Sequence, residues 1–256
     1  VRITYLGTGA AGGVPRYGCN CPACERAQNN RVFVRRPCSA LIEHGDTRVV
    51  LDAGLMNLHD RFPLGSFNAI VLTHFHPDHV QGLFHLRWGV SGSVPVYCPP
   101  DSEGCADLFK HPGILEFKPQ SKFDTFQVGS LTFTPLPLIH SKVTFGYLIE
   151  SNEGARFAYL TDTVGLPPKT IEHLQQCLLH GMAIDATDPP PVNAEAPAGN
   201  HNHWDQALAL IDQIKPVRAW LTHLNHRSDT WQMLNNPTLP QGVHVACDNA
   251  IIELQA

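Results

Sequence analysis

Thr73-His74-Phe75-His76-Pro77-Asp78-His79 follows directly on the apolar run AIVL at 69–72. It reads H-x-H-x-D-H, with four metal-ligating side chains in six positions. Imidazole nitrogen and carboxylate oxygen are the donors that hold zinc, manganese or iron. On an extended segment His74 and His76, two apart, face the same side. Asp78 and His79 need a turn to face a second position nearby. One compact loop therefore offers ligands to two adjacent metals. A solvated polar loop gives no reason to gather four such residues behind an apolar strand.

Histidine is abundant, 15 of 256 residues, and further ligands follow the same pattern. His140 ends SLTFTPLPLIH, Asp162 ends ARFAYLTD and His223 ends AWLTH, so each closes an apolar strand. Together they complete a balanced set. His74, His76 and His140 are expected to hold one ion, and Asp78, His79 and His223 the other, with Asp162 placed to bridge. Each ion then keeps an open position, as a catalytic site requires.

With 43% hydrophobic residues the chain can bury a sizeable core. Its net charge of −5, with no lysine/arginine block, argues against a nucleic-acid partner or a polybasic membrane anchor. The N-terminal VRITYLGTGAAGGVP has no apolar h-region, and a cytoplasmic location is expected. Strands are expected at 2–9, 39–45, 47–54, 69–76, 94–100, 130–138, 145–151 and 155–162, with Gly45-Asp46 turning a hairpin. Helices are expected at 167–180 and 203–216, followed by strands in AWLTHL and HVACDNAIIEL. This order predicts an α/β fold of two packed sheets with helices outside, as one domain over 1–256. The glycine run 7–13 lacks a convincing dinucleotide fingerprint and reads as a tight turn beside the active site.

The ligand set, in this order, resembles the metallo-β-lactamase superfamily, whose fold is a four-layer αβ/βα sandwich. Asp52 in VVLDAG matches a position that supports the metal loop from behind; a turn-forming Asp before Gly54 is the equal alternative. Aspartate at 162 argues against a true β-lactamase. The segments LGTGAAGGVPRYGCNCPAC, RRPCSALIE, THFHPDHVQGLFHLRWG, LFKHPGILEF, LPLIHSKVTFGYL, TDTVGLP and LTHLNH resemble PhnP-type phosphodiesterases of the carbon–phosphorus lyase pathway of phosphonate catabolism. That resemblance implies hydrolysis of 5-phosphoribosyl 1,2-cyclic phosphate to ribose 1,5-bisphosphate by a metal-bridging hydroxide. It implies a catalytic ion pair, taken as manganese with zinc or iron as alternatives, and a homodimer. Asp78 and His201 are the catalytic candidates. His201 matches the position of the family's proton donor better than His203, although the NHNH doubling leaves His203 open as a substrate contact. Arg35, Arg36 and Lys142 are candidate phosphate ligands, since cations suit that task. Competing readings are an RNA-processing or cyclic-nucleotide phosphodiesterase, a thioester or lactone hydrolase on the same metal core, and a non-catalytic zinc module.

Cys19, Cys21 and Cys24 in GCNCPAC form C-x-C-x2-C, one ligand short of a tetrahedral site. In a reducing compartment such a cluster reads as metal-binding. The PhnP-type resemblance implies a structural zinc completed by His226 in THLNH. Cys38 is the rival fourth ligand, set at a strand start.

Overall fold

The computed structural model describes residues 1–191 and 199–256. The strands, in chain order, are β1 (Arg2–Gly7), β2 (Ser39–His44), β3 (Thr47–Leu51), β4 (Ala69–Val71), β5 (Val94–Cys98), β6 (Leu115–Pro119), β7 (Phe126–Val128), β8 (Leu131–Pro137), β9 (Phe145–Ser151), β10 (Arg156–Leu160), β11 (Gly181–Asp185), β12 (Ala219–Thr222), β13 (Val243–Val245) and β14 (Ile251–Glu253). The helices are α1 (Pro22–Asn29), α2 (Leu58–Arg61), α3 (Pro77–Val80), α4 (Leu83–Leu86), α5 (Ala106–Lys110), α6 (Pro168–Gln175), α7 (Trp204–Ile214) and α8 (His226–Asn235). One sheet runs β14-β1-β2-β3-β4-β5-β6, and the other runs β13-β12-β11-β10-β9-β8-β7.

Alternation along the strands builds the layers. Ala40, Ile42, Val49, Leu51, Phe157 and Tyr159 enter a core between the sheets, with Phe133, Tyr147 and Ile149. Their neighbours Leu41 and Val50 face a second cluster with Leu58 and Leu83 of α2 and α4. Ala158 and Leu160 face a third, with Leu174 of α6 and Ala207, Leu210 and Ile211 of α7. The result is an α/β fold, the expected four-layer αβ/βα sandwich.

The β2–β3 hairpin closes as expected: His44 pairs with Thr47 and Gly45 takes φ 56°. Several expected bounds are shorter in the structure. The 69–76 strand leaves its ladder after Val71, because the Thr73 amide turns to the Asp52 carboxylate at 2.8 Å. The 167–180 helix ends at Gln175, since the chain must return to β11, where the His180 amide meets the Arg156 carbonyl at 3.1 Å. β6, β7, β11, the helices α1 to α5 and α8 were not expected. Among the described residues no helix is long and apolar enough to cross a membrane.

Candidate metal centre

β3, β4, β10, β11 and β12 all deliver residues at their C-terminal ends. Neighbours β3 and β4 are parallel, as are β10, β11 and β12, so these ends share one rim in each sheet. Ligands collect at such rims. Asp52, Asp162 and His223, each just beyond its strand, take φ 56°, 61° and 59°. A non-glycine residue in that region costs about 1–2 kcal/mol. Three such residues, all buried, occur where strands deliver polar side chains to one point.

The donor atoms of His74, His76 and His140 lie within 4.8 Å of one another, as do those of Asp78, His79, Asp162 and His223. These are the two sets expected from spacing. Asp162 faces both: Oδ2 lies 3.1 Å from His79 Nε2, and Oδ1 lies 3.3 Å from His223 Nε2 and 3.8 Å from His140 Nε2. Asp52 Oδ1 accepts from the Thr73 amide, and its Oδ2 lies 2.9 Å from His79 Nδ1. It supports the metal loop from behind.

Hydrogen bonds fix which nitrogen of each ring is free. His79 Nδ1–H donates to Asp52. His140 Nδ1–H donates to the Asn200 carbonyl at 3.0 Å. Thr187 Oγ1 donates to Asp185 at 2.7 Å, so it accepts from His223 Nδ1–H at 2.8 Å. Thr73 Oγ1, donating to Asp52, likewise accepts from His74 Nδ1–H at 3.0 Å. Every Nε2 is then a lone pair aimed inward. His74 Nε2 and His140 Nε2 converge on His76 Nδ1 at 2.8 and 3.0 Å. One proton on His76 could satisfy only one of these contacts. His79 Nε2 and His223 Nε2 are buried and make no hydrogen bond, although Asp162 oxygens stand 3.1 and 3.3 Å from them. Buried lone pairs pointed at one another need a cation between them. The residues present therefore fit a metal centre. Burial pushes the Asp162 carboxyl up, but His223, His79 and His74 outweigh it and hold it well below the usual range.

His201 lies beside this centre, its ring stacked on His223 at 4.9 Å between centroids. Its Nδ1 is 2.7 Å from Asp185 Oδ2. Burial lowers the imidazole, but the hydrogen bond and charge of Asp185 prevail and raise it to about 9. Asp185 is fully buried, and it also accepts from the amides of Thr163 and Thr187. One carboxylate thus orients His201 directly and His223 through Thr187. Sequence reasoning passed over Asp185; an aspartate ending the apolar run GMAID was the available signal.

Two expected substrate contacts, His203 and Arg35, are placed elsewhere. His203 caps α7: its ring accepts from the Gln206 amide at 3.4 Å while Gln206 Oε1 accepts from the His203 amide at 3.2 Å. Arg35 is buried, donating through Nε to Asp229 at 2.8 Å and through Nη1 to Thr8 at 2.9 Å and to the Ala246 carbonyl at 2.6 Å, so these donors are held inside the fold. Lys142 sits 3.7 Å from Asp101. Arg36 stays half-exposed, 3.3 Å from Asp248.

Cys19, Cys21, Cys24 and His226 form a separate cluster. α1 starts at Pro22 and carries Cys24, while α8 starts at His226. The sulfurs of Cys19 and Cys21 both lie 3.4 Å from His226 Nδ1. Ligands of one tetrahedral zinc, sulfur at ~2.3 Å and nitrogen at ~2.0 Å, stand about 3.5 Å apart. Burial raises the Cys21 thiol, but hydrogen bonds from Thr230 and His226 bring it down to about 6. Cys38 is absent from this set; it is buried, 3.3 Å from the Tyr159 hydroxyl.

The chain belongs to the beta-lactamase superfamily: residues 47–224 match the family model described as the beta-lactamase superfamily domain. It has the metallo-β-lactamase fold and a His/Asp cluster suited to metal binding. Within that superfamily the chain is similar to the PhnP family. A solved structure described as a new diphosphatase from the PhnP family superposes with TM-score 0.82 at 25% identity, over 98% of this chain and 97% of that one. Zinc-bound PqqB from Methylobacterium extorquens superposes with TM-score 0.74 at 21% identity, over 99% and 100%. An octanoyltransferase of Porphyromonas gingivalis is 29% identical over 99% of this chain; the chain spans 52% of that protein's length.

Proposed function

We propose that the chain is a dinuclear metal-dependent phosphodiesterase that opens 5-phosphoribosyl 1,2-cyclic phosphate to ribose 1,5-bisphosphate. The observation that carries this reading is the Asp185–His201 pair, an oriented proton donor beside two converging ligand sets. His74, His76 and His140 would hold one ion, Asp78, His79 and His223 the other, and Asp162 both. Two divalent ions, manganese with zinc or iron as alternatives, would supply an activated water and neutralise the phosphoryl oxygens. His201 keeps its Nδ1 proton on Asp185 and hands the Nε2 proton to the sugar O2 as its bond to phosphorus breaks. Cys19, Cys21, Cys24 and His226 would hold a structural zinc that ties α1 to α8.

The purified protein with added manganese should hydrolyse bis-(p-nitrophenyl) phosphate, and the ribosyl cyclic phosphate much faster. Activity on thioesters with none on phosphodiesters would sink the reading. A second reading has one observation in its favour, the diphosphatase activity named for the PhnP-family neighbour. Turnover of a nucleoside diphosphate exceeding that of the cyclic diester would select it.

A further inference from the structure

We infer that the cavity beside the metal loop is a subsite for a phosphomonoester group that the substrate carries in addition to its scissile phosphate. This rests on the phosphodiesterase reading above. The cavity has a volume of about 440 Å³, and Ala11, Gly12, Arg36, Gly54, Asn57 and Gln81 are among the residues lining it. It abuts the H-x-H-x-D-H loop. Gly54 packs so tightly on the Asp78 carbonyl that a Cβ there would stand 2.3 Å from it, and Gln81, two residues beyond His79, donates to the Gly54 carbonyl at 2.5 Å.

The walls carry unsatisfied positive character. Asp248 already accepts from the Thr8 amide and hydroxyl at 2.9 and 2.8 Å and from the Arg36 amide at 2.8 Å. The Arg36 guanidinium adds only one longer contact to it, at 3.3 Å. Arg61, at the end of α2, adds a second positive charge nearby: burial lowers its guanidinium, and the charge of Arg36 lowers it further. The Arg36 guanidinium thus keeps donors that no other acceptor among the described residues holds. Among the described residues, no acceptor meets the amide N–H of Ala11 or Gly12 in the turn after β1. Guanidinium and free backbone amides together suit a dianionic tetrahedral group. The volume leaves room for the arm that carries it. This gives the glycine-rich turn a task that its sequence alone did not disclose.

A group bound away from the reacting phosphorus contributes to binding in the ground and transition states alike, so its loss moves KM rather than kcat. The test compares wild type, Arg36→Gln and Arg61→Gln. Calorimetry with ribose 5-phosphate on the metal-loaded protein is expected to show affinity falling about tenfold in Arg36→Gln. Steady-state rates on 5-phosphoribosyl and on ribosyl 1,2-cyclic phosphate should show the wild-type preference for the former shrinking by a similar factor, through KM. The Arg36 amide and carbonyl bonds remain in the variant, and Arg61→Gln provides a second probe at the half-exposed end of α2. Unchanged ribose 5-phosphate affinity in both variants overturns the subsite. Arg36-dependent binding without hydrolysis of any diester upholds the subsite and sinks only the reaction assigned above.

Discussion

His201 and Asp185 concentrate the chemistry in one hydrogen bond. His201→Ala is expected to lower kcat by ~10²–10⁴-fold, with metal content by elemental analysis unchanged. The proton that His201 must donate is present below its titration point and lost above it. Asp185 raises that point to about 9, so turnover should decline as pH rises through about 9. In Asp185→Asn the raising partner is gone, and the decline should begin at lower pH; a kcat profile that does not move would remove Asp185 from this role. His201 was legible through the family resemblance, which implies a histidine shortly before that helix. Asp185 was not, because the five residues of GMAID are all buried and too short to show alternation. Yet Asp52, Asp162 and Asp185 obey one rule, an aspartate at the end of an apolar strand.

At the scale of elements, the two neighbouring histidines of GNHNHWD separate by the helix that begins between them and Gln206. His203→Ala removes a capping side chain and is expected to cost about 0.5–2 kcal/mol in urea unfolding, with turnover within twofold of wild type. Strong loss of turnover at equal stability would return His203 to the chemistry. Strands were legible because their side chains alternate between two cores, and α7 because Trp204, Ala207, Ile211 and Ile214 line one buried face. α8 was hidden for the opposite reason: it buries only Ser228 and Asp229. α1 buries Ala23, Cys24 and Ala27, residues too small to draw an apolar stripe. These two helices pack on each other around the cysteine cluster, so no hydrophobic periodicity announces them.

For the molecule as a whole, long-range polar links tie the beginning of the chain to its last third. Arg35 and Asp229 form a buried ion pair, with side chains 8% and 1% exposed. Arg35→Met leaves that carboxylate buried without its partner and should cost about 3–5 kcal/mol, read by chemical denaturation. Removal of zinc by a strong chelator, or His226→Ala, should lower the melting temperature and release the α1 segment to proteolysis; tight zinc retained in His226→Ala would refute the Cys3His assignment. The spacing of the ligands also sets a timetable for synthesis. On the proposed assignment, a nascent chain completed to His140 already holds all three histidines of one ion's set. The other set waits for Asp162 and His223, and the cysteine cluster for His226. The ligand sets are thereby completed in a fixed order along the chain: the three histidines first, the second set next, and the cysteine cluster last.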